Sequence, residues 1–279
     1  MPSLRELGLD QNPSMHPLTY PGQSVPGSCL LVGTWLYPLL YTPGSEVAEW
    51  SIEGGDGPLG AMRSRRRTVG MALRTQNASP MGERRPVLAV GSNASSGQLA
   101  YKYASWATDH IIPITSVRIT GLAVAHSAHV SKPGYVPYLP VRSPLERDIE
   151  LNALWLEAAQ TQRMDETEPN YRRLSLRDLR AGNGTVRLES GDRVHTATLY
   201  AGRWGVLRLT PGGARVPATT QSRIFTLLSS QEWFQNIVPE SLNGPEAAMW
   251  ALGQDARRRG RVRQEMAERH LVTSDDLLV

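Results

Sequence analysis

The chain has 279 residues, a net charge of +4 and a single cysteine, Cys29, and 40% of its residues are hydrophobic. That length suits one large domain or a core with sizeable extensions, and one cysteine excludes an internal disulfide framework and a multi-cysteine zinc site. No apolar run approaches the roughly 18 residues of a membrane span, so a cytoplasmic protein with no membrane partner is expected.

Residues 1 to about 28 are rich in Pro, Gly, Ser and Asn and lack apolar periodicity, which reads as an extended arm or a partly disordered lead. Cys29 to Leu40 is apolar but interrupted by Gly33 and Pro38, and reads as a strand pair entering the core. The turn signal Thr42-Pro43-Gly44-Ser45 leads into a second strand-like piece, Glu46–Ile52. A glycine-rich loop over Gly54–Gly60 and a basic segment to about Arg85 follow.

The arginines cluster at 63–67 and 257–263, and lysine occurs only at Lys102 and Lys132. Neither cluster is interleaved with the aromatics that stack on bases, and the second alternates with Asp255, Glu265 and Glu268. Both read as solvated charge, with no nucleic-acid partner.

From Pro86 a short apolar run, Pro86-Val87-Leu88-Ala89-Val90, predicts a buried strand that stops in Gly91-Ser92-Asn93. Ser95 or Ser96 is an N-cap for a helix through Gln98, Leu99, Tyr103 and Trp106. Strands are predicted over 114–125, over 135–141 at an edge because of its two prolines, and over 149–156. A helix over Ala158–Asp165 runs into Glu166-Thr167-Glu168-Pro169. Strands 185–188 and 194–200 flank a Ser-Gly-Asp turn and read as a hairpin. Beyond Pro217 the spacing is helical over 219–237 and 245–270, with Pro245 at a first helical position and Ala248, Met249, Leu252 and Ala256 on one side. Trp233, Met249 and Trp250 read as core. The organisation predicted is an N-terminal extension over 1–85, a core over 86–216 and a helical region over 217–279.

Three pieces carry chemistry. A strand ending in Gly91-Ser92-Asn93 offers successive backbone N–H groups in a concave turn, where glycine lets a ligand approach and a carboxylate or oxyanion can bind. A strand ending near Trp155, a helical turn and Met164-Asp165-Glu166-Thr167-Glu168 place carboxylates at the lip of a sheet, with Pro169 disfavouring helix at Glu168. Asn170-Tyr171-Arg172-Arg173 adds an aromatic and two cations beyond the acid.

In this order the pieces resemble the gamma-glutamylcyclotransferase family over about 115 residues. Val90-Gly91-Ser92-Asn93 is similar to that family's Tyr-Gly-Ser-Asn loop, with Val90 in place of the tyrosine. Gly134-Tyr135-Val136-Pro137-Tyr138-Leu139-Pro140 is similar to its glycine-rich strand, Ile149–Trp155 to its Trp strand, and Met164–Glu168 to its acidic loop, with Pro169 where the family has glycine. The resemblance implies an α+β fold: a mixed β-barrel with packed helices, extended here by a C-terminal helical region. It also implies conversion of a small-molecule γ-glutamyl amide to 5-oxoproline with Glu168 as general acid/base, and neither metal nor other cofactor. Val90, Gly91, Ser92, Asn93, Gly134, Tyr135, Tyr171 and His126 would then line the substrate pocket. A binding module using the same pocket without turnover, and an amide hydrolase or acyltransferase built on Glu168, are the alternatives.

Other signals are set aside. Gly55-Asp56-Gly57-Pro58-Leu59-Gly60 has dinucleotide-loop spacing, but Pro58 lies inside it and an arginine run follows in place of an apolar helix. His126 and His129 have no third partner for a metal. Ser95 lacks a nucleophile elbow, since Asn93 stands where glycine is needed.

Overall fold

The computed structural model describes residues 2–54, 57–60, 67–105, 110–143, 148–176, 185–274 and 277. Arg63, Arg65, Arg66, Trp106, Gly55 and Asp56, on which some sequence readings fell, lie outside them.

The apolar run at the start becomes the antiparallel pair β1 (Cys29–Val32) and β2 (Trp35–Leu40), joined through Gly33 at φ +56°. Within Glu46–Ile52, Val47–Glu49 form a 3-10 turn, and only β3 (Ser51–Ile52) is a strand. Helix α1 (Val69–Thr75), missed in the sequence, follows an N-cap at Thr68 and buries Val69, Ala72 and Leu73, at i, i+3 and i+4 spacing. Strand β4 (Arg85–Ala89) leads to α2 (Ser96–Tyr103), capped by Ser95.

The predicted strand over 114–125 is two strands, β5 (Ile111–Ile119) and β6 (Leu122–His126). The chain turns at Gly121, φ +78°, so β6 leaves the main sheet and pairs with β7 (Tyr138–Arg142). Strand β8 (Ile149–Leu156) is followed by α3 (Ala158–Thr167), which opens with a capping box between Glu157 and Gln160. Next come β9 (Tyr171–Ser175), β10 (Val186–Leu188) and β11 (Arg193–Val194). The predicted hairpin closes only over β10 and β11. The rest of its second arm is β12 (Thr198–Gly202), which departs to lie between β4 and β9, parallel to β4 and antiparallel to β9. After β13 (Val206–Leu207) come α4 (Gln221–Ser229), α5 (Glu232–Ile237), α6 (Pro245–Gln254) and α7 (Ala256–Glu268), and β14 (Val272–Thr273) pairs back with β13.

The main sheet runs β3-β2-β1-β5-β8-β4-β12-β9, with β10 and β11 beside β5. Among the described residues its end strands do not meet, so the sheet is open where a barrel was expected. The fold is α+β with one large mixed sheet, and period-2 alternation divides its faces. Leu30, Val32, Leu88 and Ala153 join α1 in one core, whereas Leu31, Val87, Ala89, Leu154 and Leu156 pack with Leu99 of α2 and Met164 of α3 in another. The arm wraps this second side, burying Leu4 and Val25 in it. A third cluster joins α4 to α7 with Ala128, Val130, Tyr135 and Val136, and it takes in Tyr20 of the arm. Ala256 is exposed, because the helix breaks at Asp255 and α7 begins afresh.

Candidate functional site

Strand β4 ends at Ala89, and Gly91–Ala94 forms a single 3-10 turn. Gly91 has φ +67°, and a Cβ there would collide with the Tyr20 hydroxyl, so both backbone and space demand glycine. The first amides of such a turn have no acceptor within it. Asn93 is buried at this turn, and α2 carries Lys102 back over it.

Lys102 Nζ donates to Asn93 Oδ1 at 2.6 Å and to Glu168 Oε1 at 2.6 Å, and lies 3.3 Å from Met164 Sδ. The two charged side chains are 6% and 13% exposed. Glu168 is the C-cap of α3, and its N–H donates to Asp165 O at 3.2 Å. A carboxylate at a helix C-terminus faces the negative end of the dipole, and the Lys102 ammonium offsets it.

Of the three acids predicted here, Asp165 is engaged elsewhere. It accepts from Tyr200 Oη at 2.6 Å and from both Nε and Nη2 of Arg173, at 2.9 and 3.1 Å. Glu166 is on the surface and paired with Arg163 at 3.3 Å. The segment read as an acidic loop is in fact the last turn of α3, which extends to Thr167 and stops before Pro169.

Tyrosines wall the site. Tyr20 stacks on Tyr135 with ring centroids 4.2 Å apart, and its hydroxyl accepts from the Tyr138 N–H at 2.7 Å. Tyr171 Oη donates to Tyr138 O at 2.9 Å. Burial, then the nearby Glu168 charge, pushes the Tyr135 hydroxyl up to about 12, with hydrogen bonds to Ser92 and Ser131 opposing. The same two causes, in that order, raise Tyr171 well above the usual phenol value, so both rings stay neutral beside the carboxylate.

These groups border a cleft of ≈ 1280 Å³. Of the residues singled out in the sequence, Val90, Ser92, Asn93, Tyr135, Glu168 and Tyr171 lie on its wall. Gly91 sits beneath the Tyr20 hydroxyl. Gly134 lies where α6 approaches, because a Cβ there would strike the Met249 carbonyl. His126 is fully buried away from the wall, its Nδ1 3.1 Å from Val136 O and its Nε2 3.2 Å from Thr219 O, and burial lowers it to about 4. His129 is on the wall, with Nδ1 2.7 Å from Ser127 Oγ, and burial lowers it to about 3. Both rings are therefore neutral near pH 7.

Lys102 and Tyr20 were missed in the sequence. The signal for Lys102 is that the chain has only two lysines, and both border this cleft. Tyr20 brings a phenol to Gly91 from the arm, next to Val90. Among the described residues no three His, Cys, Asp or Glu side chains gather to hold a metal ion.

No protein-family model matches the sequence, and no curated protein matches it. Solved structures similar to this chain include one described as a gamma-glutamyl cyclotransferase, at 10% identity and TM-score 0.36, covering 70% of this chain and 90% of that one. An uncharacterized protein from Homo sapiens is similar at 10% identity and TM-score 0.35, with the same coverages of 70% and 90%. A protein from Arabidopsis thaliana is similar at 14% identity and TM-score 0.29, covering 43% of this chain and 70% of its own. These likenesses concern the fold alone.

Proposed function

We propose that the cleft binds a γ-glutamyl amide and releases its amine by cyclising the glutamyl half to 5-oxoproline. The observation that carries this reading is the Lys102 bridge, 2.6 Å to Asn93 and 2.6 Å to Glu168, which ties the Gly-Ser-Asn turn to the acid in one cleft.

Glu168 accepts a proton from the substrate's α-ammonium. The freed amine attacks the γ-carbonyl carbon, the ring C–N bond forms, and the carbonyl oxygen becomes an oxyanion. Collapse breaks the bond to the amine half, Glu168 returns its proton to the leaving nitrogen, and the ring nitrogen gives up its second proton to the released amine, which departs as the ammonium. No water is consumed, and the products are 5-oxoproline and the free amine. The amides of Gly91, Ser92 and Asn93 hold the α-carboxylate or the oxyanion. Lys102 orients the carboxylate, holding Glu168 Oε1 at 2.6 Å. The neutral phenol of Tyr135 supplies a hydrogen bond without added charge, and Tyr171, whose proton is given to Tyr138 O, adds wall without charge.

The test is 5-oxoproline release from a panel of γ-glutamyl amides, with wild type beside Glu168→Gln. The expected result is release by wild type and a loss of ~100- to 10,000-fold in the variant, with its far-ultraviolet circular dichroism unchanged. Equal release by the two proteins contradicts the role of Glu168. The ion pair already made by Glu168 is the one feature that favours a binding module without turnover. That reading takes over if wild type binds the amides by calorimetry and converts none.

A further inference from the structure

Of the eight large hydrophobic side chains that stand exposed among the described residues, four border this one cleft: Met15, Leu18, Tyr101 and Trp250. They come from the arm, from α2 and from α6, so their lining of one cleft is a property of the tertiary fold and not of one helix face. Trp250 is 68% exposed, although a core position was expected for it. An exposed cluster of this kind on a soluble chain marks a binding groove more often than chance scatter. Large aromatic side chains bury roughly 150–250 Å² each when covered.

The position of Trp250 is set by backbone packing. Gly134 lies against the Met249 carbonyl, and a Cβ at Gly253 would lie 3.2 Å from Pro133 O, so α6 sits tightly on the 131–134 loop. Met249 and Leu252 go into the core from that side of α6, which leaves Trp250 facing solvent at the cleft.

The cleft is also larger than its polar end requires. Its ≈ 1280 Å³ exceeds the roughly 300–1,000 Å³ of sites that enclose a drug-sized ligand, and a γ-glutamyl group fills only a part of that. Among its lining side chains Lys132 and Arg163 are matched by Glu166 and Glu246, so apart from the Lys102–Glu168 pair the cleft carries no excess charge to select an ionic group.

We propose that the outer part of the cleft is a subsite for an apolar amine half, and that the substrate class is γ-glutamyl amides of bulky arylalkyl amines. This rests on the cyclising reading above. The glutamyl half occupies the Glu168–Lys102–Asn93 end, and the ring of the leaving amine lies against Trp250 and Tyr101.

The experiment compares kcat/KM for γ-glutamyl methylamide, butylamide and phenethylamide in wild type, Trp250→Ala and Tyr101→Ala. Wild type is expected to favour the phenethylamide over the methylamide by ~10-fold or more, as burial of several apolar carbons requires. Each alanine variant is expected to move that ratio toward one. Both residues are exposed, so their loss leaves the core intact. A flat series in wild type, or a ratio that neither variant changes, overturns the subsite while leaving the cyclisation standing. If no amide is converted, binding of the same three amides to Glu168→Gln by calorimetry decides. Affinity that rises along the series and is levelled by Trp250→Ala upholds the subsite although the reaction has failed, and affinity that does not rise overturns it.

Discussion

Lys102 stands between a backbone turn and the terminal residue of a helix, and both of its partners lie 2.6 Å away. Removing one member of such a part-buried pair strands the other, at a cost of about 3–5 kcal/mol, whereas removing both is nearly neutral. Lys102→Met is therefore expected to lower the chemical-denaturation midpoint sharply, and Lys102→Met/Glu168→Gln to regain most of the loss. A double variant no better than the single one would show that Lys102 acts through packing alone. At this scale the sequence was partly legible. Glu168 and the Gly91-Ser92-Asn93 turn stand out because motif spacing and Pro169 mark them. Lys102 and Tyr20 carry no such mark, since only folding brings them to the turn. The placement of His126 was equally hidden, because its two ring partners, Val136 and Thr219, are fixed by tertiary packing.

At the scale of elements, glycines decide where the chain changes partner. Gly121 and Gly134 both have positive φ, +78° and +106°, but nothing surrounds Gly121 within 4 Å, whereas Gly134 meets the backbone of α6. Gly121→Ala is expected to cost the ~1–2 kcal/mol of a left-handed residue. Gly134→Ala is expected to cost more, because α6 must move as well, and to weaken binding at the Trp250 end of the cleft. Denaturant titration of the two variants checks this, and equal losses would mean that α6 does not rest on Gly134. The split of the predicted 114–125 strand at Gly121, and of the hairpin between β11 and β12, was not legible because apolar alternation continues across both breaks. Strand β8 and the starts of α2, of α3 and of α6 at Pro245 were legible, since their caps and prolines act locally.

At the scale of the molecule, the site is assembled from distant parts of the chain. The arm supplies Tyr20, the large sheet with α2 and α3 supplies Asn93, Lys102 and Glu168, and the C-terminal helices supply Trp250. The helical tail followed from the spacing of apolar residues beyond Pro217, whereas the α+β class was expected only from the resemblance of the motifs. Whether the strands close was not legible, because closure depends on long-range pairing: β12 lies beside β4, and the edges β3 and β9 are left apart. No helix among the described residues is long and apolar enough to cross a membrane. What this assembly should do to a γ-glutamyl amide distinguishes the central claim from its nearest rival, hydrolysis at the same carboxylate. The deciding measurement is the mass of the glutamyl product formed in water enriched in heavy oxygen. Cyclisation predicts 5-oxoproline without the label, because the substrate's own nitrogen closes the ring. Glutamate carrying the label in its side-chain carboxylate would mean that water is the nucleophile, and would contradict it.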